Sequence, residues 1–267
     1  MKKYFKIFKI SLISYLEYRV NFVLSFLFSL VPFSVSVLLW VAVAKHSEFI
    51  KVKEVVSYYF VILIVKNITT TNSIIRFSDD IRLGELNKYL LKPYNYCFYN
   101  LMADLPERIV FIVMNFIPLI LIYTFLHNYI NLDLSLIKVF FFIIFLILGY
   151  LINFFIDFLI GLYSFYFSKV SSLYTSIKVL RNLSAGNIFP LLMLPAKIFL
   201  TLQFLPFMYT SYVPTILLLE KTSFDLILKN LFISKTGDKI TVDDPGIPDI
   251  EEKKYLVLPK LKRIKLK

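Results

Sequence analysis

The sequence predicts an all-α integral membrane protein, and three observations carry that prediction. Of its 267 residues 58% are hydrophobic and 18% charged, whereas soluble domains average about half and about a quarter. The apolar residues are gathered into runs, and a helix needs about 20 such residues to cross a bilayer. The basic residues, which give a formal charge of +12, fall mainly in every second connection between those runs. This composition excludes disorder and collagen-like repeats, and the single Cys97 has no intrachain partner for a disulfide.

Residues 1–19 interleave Lys6 and Lys9 with Phe5, Ile7, Phe8, Ile10, Leu12, Ile13 and Leu16, then end in Glu17, Tyr18 and Arg19. A helix of that pattern has an apolar body and a narrow basic edge, the form of one lying in the membrane interface. Residues 20–44 contain no charge and predict the first span. Ala42-Val43-Ala44 resembles a signal-peptidase site, but the apolar run is about twice the usual signal-peptide core, so the segment is expected to be retained.

The second span is expected over 55–75, apolar to Val65 and polar from Lys66 and Asn67 through Thr69, Thr70 and Thr71. Residues 109–127 predict the third. The fourth begins at Ile137 and continues past Phe158, interrupted mainly by Lys138, Asn153 and Asp157. The fifth, 188–205, is short and carries Pro190, Pro195 and Lys197, and an irregular apolar segment follows to Leu219. The expected organisation is thus an interfacial helix at 1–19, a transmembrane domain at 20–219 and a polar, basic tail at 220–267. Asp243-Asp244-Pro245-Gly246 within that tail predicts a turn-rich linker.

Orientation follows from Lys and Arg in the connections. Residues 1–19, 66–108 and 168–185 hold five, six and three, fourteen together; 45–54 and 128–138 hold three and one, four together. The N-terminus is therefore expected in the cytoplasm of a multi-pass protein of the cytoplasmic membrane, and the basic residues call for no nucleic acid.

The loop after the second span is the most informative segment. Asp79 or Asp80 is expected to begin a helical turn, Gly84 permits a sharp bend, and Glu85–Lys92 predicts a short amphipathic helix ended by Pro93. Its apolar side would hold Leu86, Leu90 and either Tyr89 or Leu91. Such a helix could dock a soluble partner or rest on the bilayer surface, and composition does not separate the two.

The run Ile81-Arg82-Leu83-Gly84-Glu85-Leu86, followed by Tyr89-Leu90-Leu91-Lys92-Pro93, resembles the I-x-x-G-x-L-x-x-x-L-L-K-P loop of ABC-2 type exporter permeases. The similarity is to the six-span group typified by daunorubicin- and viologen-type export systems. Glu17-Tyr18-Arg19, Trp40, Leu205-Pro206-Phe207 and Pro214 add to it, over roughly residues 1–220. The chain departs from that group where a sixth span is expected, continuing instead into Lys221–Asn230 and the tail. The resemblance implies a permease subunit partnered by an ABC ATP-binding subunit and a second permease, a heterodimer being favoured. ATP and Mg would be held by the partner. It nominates Arg82, Gly84, Glu85, Leu86, Leu90, Leu91, Lys92 and Pro93 for contact with the ATPase. It implies an interfacial role for the N-terminal helix, with Lys6, Lys9, Glu17 and Arg19.

Polar residues inside a bilayer are costly and call for an explanation. Gly149, Asn153, Asp157 and Gly161 recur every fourth residue along the fourth span, where small and polar side chains suit helix packing or a substrate path. Asp157 is expected near the cytoplasmic end, with water relieving its cost. Lys66, Asn67, Thr70 and Thr71 are expected on one face of the second span, either lining a path or with Lys66 reaching toward headgroups.

No G-x-x-x-x-G-K-[ST] occurs, so the chain has no P-loop of its own. No Cys or His cluster has metal-ligand spacing, and His46 and His127 lack the partnered base an enzyme site would need. A non-transporting membrane assembly protein or degenerate permease is the alternative to an exporter.

Overall fold

The computed structural model describes residues 2–46, 51–71, 73–92, 94–167, 170–191, 194 and 196–219. The tail at 220–267 lies outside these residues. Ten α-helices make up the described chain, with no strand among the described residues: α1 (Lys2–Glu17), α2 (Arg19–Lys45), α3 (Val52–Thr69), α4 (Ser73–Arg82), α5 (Leu86–Leu90), α6 (Tyr96–Leu126), α7 (Leu136–Leu162), α8 (Ser171–Ser184), α9 (Ala196–Gln203) and α10 (Phe207–Leu217). The protein is an all-α membrane protein. Among the described residues three segments are both long and apolar enough to span, Val20–Lys45, Tyr96–Tyr129 and Leu136–Phe165.

α3 is the central helix. Nearly every residue from Val55 to Val65 is buried, although Lys53, Glu54 and Lys66 make it less apolar than its neighbours. α2, α6, α7 and α10 surround it. Phe26 of α2 fills the space between Leu63 and Phe111, while Phe28, Val31, Val35 and Leu38 of the same helix stay exposed. Lipid tails are as apolar as these side chains, so association inside a bilayer rests on close packing and interhelical hydrogen bonds.

Two glycines of α7 provide that closeness. A Cβ on Gly149 would stand 2.9 Å from the Thr210 carbonyl oxygen of α10, and one on Gly161 would stand 2.6 Å from the Phe77 Cβ of α4. Between them Asn153 donates to the Thr69 carbonyl oxygen at 2.9 Å. Substituting Gly161 by Ala is expected to drive α4 off α7. The cost of such overpacking is about 1–3 kcal/mol, and reduced thermal stability of the purified chain is the check.

Three expectations are corrected. The second span ends at Thr69, not Ile75. Thr70 adopts extended backbone (φ −72, ψ 131) and α4 starts afresh at Ser73, so Thr71 leaves the helical face of Lys66 and Asn67. The fifth span does not form as one helix over 188–205: Gly186 just before it sits at φ +74, residues 185–190 are turns or irregular, and among the described residues of that stretch the α-helix is the eight-residue α9. Gly in the left-handed region ends a helix and Pro190 cannot donate to continue one. The connection at 168–185, expected as a loop, contains helix α8. The irregular apolar segment at 205–219 is mostly α10.

The turns after α8 are tied into the bundle by aromatic donors. Tyr58 donates to the Gly186 carbonyl oxygen, and Tyr59 and Trp40 both donate to that of Ile188, at 2.8, 2.8 and 3.1 Å. At the end opposite α5, Leu132 and Leu219 form an antiparallel bridge and Asn131 donates its backbone N–H to Ser57 Oγ at 2.8 Å.

Candidate functional site

The loop singled out by sequence is a rigidly founded hairpin. Asp79 and Asp80 lie in the last turn of α4, not at the start of a new helix as expected. Gly84, at φ +71, makes the reversal, and α5 is confined to Leu86–Leu90. Phe77, 1% exposed, anchors the base of the hairpin against Leu101, Tyr150 and Phe154. On the return limb Tyr89 packs against Tyr96 and Tyr99 at ring separations of 5.3 and 4.9 Å, and Tyr96 donates to Asp80 Oδ2 at 2.7 Å. Burial, with the Asp80 charge adding to it, pushes the Tyr89 hydroxyl up to about 12, so it stays protonated. Asn95 caps α6 by accepting from the Cys97 and Phe98 N–H groups.

What the hairpin presents outward is mixed in character. Leu83 is 65% and Leu91 88% exposed. Around them Arg82 pairs with Asp79 at 3.0 Å and Lys88 with Glu85 at 2.7 Å, while the Lys92 ammonium lies 5.9 Å from the Tyr89 ring centroid. Leu86 is half-buried. The backbone of Leu90 ends α5, and Pro93 lies outside the described residues.

α1 runs beside the first half of α6, from Tyr4, whose hydroxyl accepts the Asn95 N–H at 3.2 Å, to Tyr15 near Glu107. Lys6, Lys9 and Glu17 are exposed, and Arg19 opens α2. α1 and the hairpin therefore share one end of the bundle.

Two buried ionic junctions join this end to the spans. Asp104, 1% exposed, accepts from Ser73 Oγ at 2.8 Å, from Arg76 at 3.2 Å and from the Tyr150 hydroxyl at 2.9 Å. Arg108 lies 3.7 Å away. One carboxylate thus links the root of α4 to α6 and α7. The second junction is Asp157, fully buried, which accepts from Arg181 of α8 and from Thr71 in the break after α3. Asp157 was expected to be relieved by water; a guanidinium and a hydroxyl take that role instead. The four polar or small residues of α7 are all buried and face α10, the end of α3, α8 and α4 in turn. Lys66 and Asn67 are half-buried, with Asn67 turned back on the Leu63 carbonyl at 2.7 Å.

Sequence reasoning missed Arg76, Asp104, Arg108 and Arg181 because they fell in stretches taken as cytoplasmic loops. The available signal was the four-residue spacing of Asp104 and Arg108 just before an apolar run, which puts both on one helical face.

No curated protein and no solved structure matches the chain. The family described as ABC-2 family transporter protein matches residues 30–236, which takes in the hairpin, both junctions, the two later long apolar helices and the second half of α2. The chain belongs to the ABC-2 family of transporter proteins.

Proposed function

We propose that the chain is the permease subunit of an ABC exporter of the cytoplasmic membrane, with its N-terminus in the cytoplasm. A partner ABC subunit binds Mg and ATP, and a second, different permease completes the path. The observation that carries this reading is the hairpin tip: two leucines, more than half exposed and ringed by charges, on a base that packing and an aromatic cluster hold in place. An apolar tip with a polar rim is the anatomy of a protein-binding surface. The excess of Lys and Arg on the hairpin side supports its cytoplasmic placement.

In this account ATP-driven movement of the partner pushes on residues 82–92. α4 carries the push to α7 through Phe77 and Gly161, and to α6 and α7 through Asp104. The spans then rearrange toward the far side. The nature of the cargo is set elsewhere in the bundle.

Burying one leucine is worth about 1.5–3 kcal/mol. The double substitution Leu83→Ser with Leu91→Ser is therefore expected to weaken ATPase binding at least tenfold while membrane insertion stays normal. Charge reversal at Glu85 and Lys92 is expected to abolish stimulation of ATP hydrolysis by the permease. Unchanged ATPase association and stimulation in both variants would favour the reading as a non-transporting assembly protein.

A further inference from the structure

A cavity of about 340 Å³ opens where α1 turns into α2, lined by Tyr15, Tyr18, Asn21, Phe22, Ser25 and Glu107. Its position along the membrane normal follows from the helices that form it. α1 is amphipathic and lies in the interface plane, the first span begins directly after Tyr18, and the apolar part of α6 begins directly after Glu107 and Arg108. The cavity thus sits at the depth of the headgroups on the hairpin side of the membrane.

Its lining has a definite chemistry. Among the described lining residues Glu107 contributes the charged side chain, about a fifth exposed. Three aromatic rings face the same space, with Tyr15 and Phe22 edge to face at 6.0 Å. The remaining groups, the Asn21 amide and the Ser25 and tyrosine hydroxyls, can all accept hydrogen bonds. A carboxylate beside aromatic faces attracts an organic cation, and the acceptors suit a cation that still carries N–H groups. One Glu107 oxygen lies 3.3 Å from Arg108, which orients the carboxylate.

We infer that this cavity binds the ammonium group of a phosphatidylethanolamine headgroup, fixing the elbow between the interfacial helix and the first span to the cytoplasmic leaflet. The headgroup amine lies against Glu107 and the rings of Tyr15, Tyr18 and Phe22, and its acyl chains follow the exposed apolar face of α2. This site does not depend on the exporter reading, since any protein with this elbow in this leaflet would present it.

The test is lipid retention by the full chain in nanodiscs of equal phosphatidylethanolamine and phosphatidylglycerol, released into detergent and measured by native mass spectrometry. Phosphatidylethanolamine is expected to be retained at least fivefold over phosphatidylglycerol. Glu107→Gln is expected to erase that preference, whereas Asp133→Asn, at the opposite end, keeps it. Tyr18 is 62% exposed, so Tyr18→Ala preserves the fold and is expected to halve the preference or more; it serves if Glu107→Gln does not fold. Equal retention of both lipids, or a preference unchanged in both cavity variants, overturns the proposal. Glycerophosphoethanolamine, the headgroup without chains, is expected not to displace the lipid at millimolar concentration. Displacement by it would show a site for soluble amines and overturn the lipid assignment.

Discussion

Substituting Arg181 by Leu is expected to be the most damaging single change in the bundle. Asp157 is fully buried and its charge is met by the Arg181 guanidinium, with Thr71 supplying a hydroxyl. Removing one partner of a buried ion pair costs about 3–5 kcal/mol, because the other charge is left uncompensated. Thr71 alone cannot offset that. The loss should fall on the joint between α7, α8 and the break after α3, and show as a chain that inserts but aggregates on extraction. The paired replacement Asp157→Asn with Arg181→Leu removes both charges and is expected to regain most of the lost stability. Thermal denaturation of the three variants in one detergent is the measurement. A double variant no better than Arg181→Leu would show that the damage lies in packing, since the guanidinium also lies 5.9 Å from the Phe207 ring centroid.

The second large effect is expected at Asp104. Its carboxylate serves Ser73, Arg76 and Tyr150 together, with Arg108 close by. Substitution by Leu removes the counter-charge of Arg76, whose side chain is 38% exposed, and leaves Arg108 paired with Glu107, so the cost falls below the about 3–5 kcal/mol of a fully buried pair. Substitution by Asn is more informative. It keeps the shape and accepts hydrogen bonds, so the bundle should survive, but the attraction that holds the root of α4 to α6 is lost. In a reconstituted complex Asp104→Asn is expected to leave ATPase binding within about twofold, since the hairpin tip is untouched. ATP hydrolysis should continue while transport per ATP falls at least fivefold. Equal transport per ATP in wild type and variant would remove Asp104 from the path between hairpin and spans.

The spans were legible to different degrees, for physical reasons. α2 and the apolar part of α6 show in the sequence because each is a long run without a charge, and hydropathy needs nothing more. The hairpin was legible because Gly84 and the short run to Lys92 are local signals, and Gly84 does adopt the left-handed backbone that glycine tolerates. Hydropathy failed at 188–205, an apolar segment that follows the Gly186 reversal, is broken at Pro190 and is held at its start by side chains from α2 and α3 more than 100 residues away. It failed in the opposite sense at 171–184, a polar stretch that is nonetheless a helix with Arg181 buried. The pairings within the ionic junctions were hidden for a related reason, although the Asp104–Arg108 spacing and Asp157 within its span are visible in the sequence. Each brings in a guanidinium that looks solvated in sequence, Arg76 or Arg181, and no local pattern records a partner as distant as Thr71 is from Asp157.

The central claim, that this chain works as the membrane half of an ATP-driven exporter, is tested most directly by its company. The tagged full chain should be purified in mild detergent from the membranes that normally contain it, and every co-purifying protein identified. The account predicts recovery of a P-loop ATPase together with a second permease, with the ATPase lost from the Leu83→Ser, Leu91→Ser variant. Recovery of the chain alone, under conditions that keep other ABC complexes intact, would contradict it.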